Sequence, residues 1–208
     1  MRRLVSVLAA IALSIVAFGQ SAEEIVQRME KAMAGHEAEG TVVGMDMKIP
    51  IIGTVTTKTW IVGDRTRTEG GAAGVKFISW QDENTIWTLT EKDGKPSIEI
   101  DNKKPGTKGD NEADMLKGVA DGYDLTISKE TADEWYILCK KSKTNKDKDD
   151  PKTMDLVVSK ADYICKSLTA KVSGVTLKLY DFAFGVDEKL VTFNPEDYPG
   201  VEIVDKRK

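Results

Sequence analysis

The stretch TMDLVVSKADYICKSLTAKVSGVTLKLYDFAF, residues 153–184, decides the fold. Apolar and polar residues alternate through most of it, which is the period of strands half buried against a core. Val172-Ser173-Gly174-Val175 reads as a two-residue hairpin turn. Turning the chain there sets Ala170 against Leu177, Leu168 against Leu179 and Lys166 against Asp181, so apolar pairs and an opposite-charge pair coincide. One turn earlier, SKADY folds the preceding strand back and places Leu156 roughly opposite Cys165.

The same texture extends to both sides. YDLTISK and EWYILCKK precede this stretch as two more strands, and the charged segment KKSKTNKDKDDPK reads as a solvated hairpin tip. Further upstream, Val43, Met45, Met47 and Ile49 alternate with Gly44, Asp46 and Lys48. GTVTTKTWIVGD, DRTRTEG and VKFISWQD follow, and NTIWTLTEKDGKPSIEIDN is a hairpin about Asp93-Gly94. Ile86 and Trp87 fall on opposite faces of their strand, so some of the apolar bulk of Trp60, Phe77, Trp80, Ile86, Trp87 and Leu89 points outward.

Helical signals are few. SAEEIVQRMEKAMAG carries a capping box in Ser21 and Glu24, and an apolar stripe in Ile25, Met29 and Met33, with Gly35 as a stop. Midway, a Pro/Gly loop leads to Met115, Leu116 and Val119, which share one side of a short helix ended by Gly122. A meander of about ten or eleven antiparallel strands must close or cover its apolar face. The expected fold is therefore α+β: a curved sheet, or half β-barrel, with the N-terminal helix and the mid-chain helical insertion covering its concave face.

The first residues read as a secretory leader. Arg2 and Arg3 precede an apolar-to-small run from Leu4 to Phe18, with Ala17 and Gly19 at the spacing a signal peptidase reads. The run is short for a membrane span, which needs roughly 20 apolar residues. The expected division is a signal peptide over 1–19, cleaved near Gly19, and one exported domain over 20–208 with no membrane span. Without Arg2 and Arg3, 28 basic residues face 34 acidic ones, so nothing basic points to nucleic acid. Two cysteines in an exported chain ordinarily read as a disulfide. The register instead puts a whole strand between Cys139 and Cys165, roughly 9–10 Å, too far for a bridge. Two buried thiols are expected.

Chemistry is sparse. His36 is the only histidine, so a Ser–His–Asp or Cys–His arrangement would have to use it, and its place is the end of the first helix. No His/Cys set has metal-ligand spacing, and GGAAG at 70–74 lacks the lysine and the helix of a phosphate loop. Glu196 and Asp197 are neighbours in a turn, whereas glycosidase carboxylates face each other across a cleft at about 5–9.5 Å. No catalytic residue, metal or cofactor is expected. Methionine stands out instead: Met29 and Met33 on the first helix, Met45 and Met47 on the first strand, Met115 on the midway segment. Flexible, polarizable methionine suits a surface that repacks around varied apolar shapes. It equally suits a core that uses it as filler, and the sequence leaves both readings open.

The closing stretch FNPEDYPGVEIVDKR, residues 193–207, holds a turn start at Asn194-Pro195, a type II turn at Pro199-Gly200 and a last short strand in VEIVD. Its pattern is Phe193, Pro195, Tyr198, Pro199, Gly200, Val201, Glu202, Ile203, Val204, Asp205 and Arg207. With the leader, the first helix and the interrupted strand runs, it resembles the LolA-like lipoprotein carriers, in the branch common in Bacteroidetes-type bacteria. TKTWIVGDRTRTE is a second, more moderate match. The resemblance implies a monomeric, non-enzymatic periplasmic shuttle. Such a protein takes lipidated proteins from an inner-membrane ABC-type release complex and holds their acyl chains in a hydrophobic concavity. It then passes them to an outer-membrane acceptor. About 0.8 kcal/mol per buried CH₂ gives on the order of 10 kcal/mol for one chain. Candidate acyl-chain contacts are Met29, Met33, Met45, Met47, Trp60, Phe77, Met115, Leu116 and Val119. The resemblance makes Arg65 or Arg67 the candidate latch of the lid, an exposed strand-end arginine being the alternative reading. Two other functions stand beside the carrier, a LolA-like lipid or lipoprotein sensor and an exported hydrolase.

Overall fold

A computed structural model of the protein describes residues 20–72, 74–103 and 116–207. The expected leader over 1–19, Met115 and most of the expected midway helix lie outside the described residues. Helix α1 runs Ala22–Gly35, and Ser21 caps it by accepting from the Glu24 amide at 3.1 Å. Glu23 and Glu24 in its first turn complement the helix dipole. The strands are β1 (Thr41–Ile49), β2 (Gly53–Val62), β3 (Arg65–Ala72), β4 (Val75–Gln81), β5 (Thr85–Lys92), β6 (Lys95–Asn102), β7 (Tyr123–Glu130), β8 (Glu134–Lys141), β9 (Thr153–Ser159), β10 (Cys165–Val172), β11 (Val175–Phe184) and β12 (Glu202–Asp205).

They form one curved, unclosed 12-stranded sheet in the order β12-β6-β5-β4-β3-β2-β1-β11-β10-β9-β8-β7. Two meanders therefore join where β1 pairs with β11, and β12 adds to the β6 edge in parallel. The count is one or two strands above expectation. Of the expected mid-chain helix, the described part, Leu116–Gly122, is a single 3₁₀ residue followed by turns. Gly118 and Gly122, both at positive φ, break the backbone there.

The hairpins read from sequence are present. Asp93-Gly94 and Ser173-Gly174 both have positive φ at two successive residues, as a type I′ turn needs. Ala170 pairs with Leu177 and Leu168 with Leu179. Beyond Ser167–Tyr180 the ladder stops, so Lys166 does not pair with Asp181. Asp181 stands at φ 54°, and the β9–β10 register shifts between Cys165 and Ser167. The β9–β10 connection, residues 160–164, is longer than the tight turn expected from SKADY, so with that shift Leu156 lies opposite Leu168 and Cys165 opposite Val158. The two free, buried cysteines stay separated by β9.

Paired residues share a face, so the registers trace two surfaces across the sheet. On one, Val43, Leu179, Leu168, Leu156, Ile137 and Leu125 make an apolar floor from β1 through β7, and the buried stripe of α1, Ile25, Val26 and Met29, lies on it. Each such side chain contributes about 1.5–3 kcal/mol. Toward β2–β5 the same face becomes Thr57, Thr59, Thr68, Ser79 and Thr88. Apolar bulk there moves to the opposite face, where Trp60, Arg67, Trp80, Trp87 and Ile100 form one row across β2 to β6.

Residues 185–201 strap that second surface. Phe193 packs on Trp80 and Trp87 at 5.4 and 5.5 Å, and Tyr198 on Trp80 at 5.6 Å. The strap turns at Asn194, whose side chain accepts from the Glu196 amide, and again at Gly200, φ 79°. The closing motif is thus an aromatic clasp on the face away from α1.

Candidate functional site

Near the C-terminal end of α1, between the helix, the start of β1 and Leu116, opens a shallow cleft that encloses only about 40 Å³ and widens into solvent. Met33, Ala34 and Leu116 give it apolar walls, Thr41 lies at one side, and Glu30, Glu37 and Lys117 stand around it. Lys117 Nζ reaches Glu37 Oε1 at 3.3 Å across the gap between the helix end and the midway segment. Burial, and then the negative charge of Asp121, holds the Glu30 carboxyl above its ordinary value. Met33 and Met45 pack on the core cluster as partly buried neighbours, while Met29, Leu116 and Val119 belong to it outright.

Of the expected contact residues, Met33 and Leu116 line the cleft, while Met29, Met45 and Val119 belong to or pack on the same core cluster. Met47, two residues on from Met45, pairs with Leu177 and Val55 on the same face. Phe77 shares that face but lies on β4, across β2 and β3, beside Gly70. Trp60 is on the opposite face, in the strapped row. Beneath α1 the interior is filled by Ile25, Val26 and Met29, so among the described residues no open space continues inward from the cleft along that stripe.

Among the described residues, α1 is hydrogen-bonded to the sheet side through Tyr163. Gln20 Nε2 and Arg28 Nη1 each donate to Tyr163 Oη at 2.9 Å. The Arg28 guanidinium also lies 5.4 Å over the Tyr163 ring, which stacks on Trp135 at 5.4 Å. Tyr163 sits at φ 60° in the turn between β9 and β10, a conformation a bulky residue rarely adopts. The hydrogen bond from Gln20, and then that from Arg28, draws its phenol below the ordinary value. Nothing local in KADYI announces this role, because both partners lie about 140 residues upstream.

Arg65 donates from Nη1 to Glu188 Oε1 at 2.7 Å and to Thr192 Oγ1 at 3.3 Å, so its described partners are on the strap. Arg67 lies between Trp60 and Trp80, 5.7 and 5.2 Å from their rings, with Glu69 Oε1 2.5 Å from Nη2. His36 caps the end of α1, stacks on Phe184 at 4.1 Å and faces Glu39. Among the described residues no three His, Cys, Asp or Glu side chains gather to hold a metal. Among them, no helix is long and apolar enough to cross a membrane.

No known family model matches the sequence, and no curated protein does. Solved structures do resemble the chain. An uncharacterized conserved protein from Thermus thermophilus is 15% identical over 90% of this chain and 100% of that one, with a TM-score of 0.47. The lipoprotein LppX from Mycobacterium tuberculosis is 10% identical over 78% of this chain and 94% of that one, TM-score 0.47. A LolA superfamily protein from Nitrosomonas europaea is 9% identical over 84% of this chain and 99% of that one, TM-score 0.33. Identities of this size concern fold alone, and at these TM-scores the function rests on the site.

Proposed function

We propose that this chain is an exported LolA-like protein that binds the acyl chains of lipidated proteins and carries them across the periplasm from the inner to the outer membrane. It acts without catalysis and as a monomer. The observation that supports this most is an amphipathic α1 lying over an unclosed sheet, with a cleft at the helix end walled by Met33 and Leu116, and Met29 and Met45 in the same apolar core. An amphipathic helix held by packing and by one tyrosine can rise and settle. An acyl chain replacing it would keep the floor of Val43, Leu156, Leu168 and Leu179 away from water.

In this reading Met33, Met45, Met47, Leu116 and Val119 contact the chain, Met29 moves with the helix, and Tyr163 is the latch. Phe77 enlarges the site only if the sheet opens further, Trp60 lies on the strapped face outside it, and Met115 is a candidate contact by sequence alone. Assignment to the Bacteroidetes-type branch, the ABC-type donor and the outer-membrane acceptor rest on the closing motif alone. A fluorescent triacylated peptide titrated into residues 20–208 tests the binding. Saturable uptake, weakened roughly tenfold or more by Met45→Asp, is expected from placing a charge against acyl chain. Uptake unchanged in Met45→Asp would refute the site.

A further inference from the structure

The turn between β1 and β2 carries an unusual pair. Of five described non-glycine residues at positive φ, Ile51, at 73°, alone is β-branched. Such a residue is strained there, and it persists only where something else gains from it. Its side chain is fully exposed, and Ile52 beside it is 66% exposed. Neither supports the core.

The neighbouring turn, between β10 and β11, repeats the theme with Val172, also exposed. Lys48 and Lys171 both pair with Thr176, so the two turns project from the same end of adjacent hairpins. Charge is segregated as well. Residues 47–58 and 165–180 contain Lys48, Lys58, Lys166, Lys171 and Lys178 and no Asp or Glu, in a chain whose net charge is −4. The nearest carboxylates by register are Asp46, opposite Lys178 and engaged by Thr56 and Tyr180, Glu69, opposite Lys58, and Asp155, opposite Thr169. The 142–152 loop beside the β10–β11 turn adds Asp147, Asp149 and Asp150 but also Lys143, Lys146, Lys148 and Lys152, so lysine stays in excess at this end.

We propose that these two tips are a membrane-docking surface for an anionic phospholipid bilayer. Ile51, Ile52 and Val172 enter the headgroup–acyl boundary, and Lys48 and Lys171 meet lipid phosphates. Three apolar side chains on convex turns are too small an area for a stable protein interface, which takes about 800 Å² per partner, but suffice for shallow, reversible insertion. The inference stands apart from the cargo, since none of these residues lines the cleft.

Co-sedimentation of residues 20–208 with vesicles of phosphatidylethanolamine and phosphatidylglycerol tests it, with phosphatidylcholine vesicles for comparison. Binding to the anionic vesicles, falling with added salt, is expected. Ile51→Asn with Ile52→Asn, and separately Lys48→Gln with Lys171→Gln, should each weaken it roughly tenfold. Asparagine accepts positive φ, so Ile51→Asn should leave the thermal midpoint unchanged or raise it. Absence of binding, equal binding to neutral vesicles, or binding unaffected by both pairs of substitutions would overturn the proposal. So would a concentration-dependent dimer that Ile51→Asn abolishes, without vesicle binding. Vesicle binding by a chain that takes up no acylated peptide would support the surface while the carrier reading failed.

Discussion

Arg28 donates to Tyr163 at 2.9 Å from a position 135 residues earlier in the chain, and the two side chains also stack as cation on ring. This pair, shared with Gln20, fixes the N-terminal half of α1 to the β9–β10 turn. The C-terminal half is left beside the cleft. The helix is thus tied to the β9–β10 turn near its start and borders the cleft at its end.

Tyr163→Phe removes the shared acceptor and keeps the ring on Trp135. Amide exchange in α1 should speed up while β8, β9 and β10 stay protected, because those strands sit in the middle of a ladder. Exchange in α1 identical to the parent would mean the hydroxyl does not hold the helix.

Burial pushes the Cys139 thiol up to about 11, with Asp155 adding to it, and the Cys165 thiol up to about 12. Near neutral pH neither should react with iodoacetamide in the folded protein. After denaturation without reductant both should. The unfolded thiols ionise near 9, so from there to about 11–12 the unfolded chain has released protons that the folded chain keeps. These thiols therefore leave stability unchanged below pH 9 and lower it as pH rises above. A midpoint that rose over that window would contradict their burial. Labelling only after reduction would show a bridge.

Phe193→Ala should loosen the strap by about 3–5 kcal/mol, since its ring fills the space over Trp80 and Trp87. The tryptophan emission should shift red as the strapped row gains water. Gly44→Ala tests the other side of the sheet centre. An added Cβ would meet the Tyr180 ring at 2.8 Å, so a loss of about 1–3 kcal/mol is expected. A parent-like melting curve for either variant would contradict the packing described.

Much of the sheet was legible because alternation and turn residues act locally. Asp93-Gly94 and Ser173-Gly174 announced their hairpins, and Leu168 against Leu179 followed by counting. Counting failed at Lys166 and Asp181, where an irregular residue on each strand shifts the ladder without disturbing the apolar pattern. The strap was visible as turns but not as a clasp. Phe193 meets Trp80 and Trp87 across more than a hundred residues, a relation no periodicity encodes. Tyr163 was hidden for the same reason. The methionines Met29, Met33 and Met45 were legible as a group because helix and strand periods put each of them on the core side.

The most direct measurement is native mass spectrometry of residues 20–208 purified from the periplasm of an expressing cell. Carriage requires a bound population heavier by a triacylated lipoprotein or a phospholipid, and its loss in Met45→Asp with the melting midpoint held. A ligand-free protein from lipid-replete cells, or the same bound mass in Met45→Asp, would contradict it.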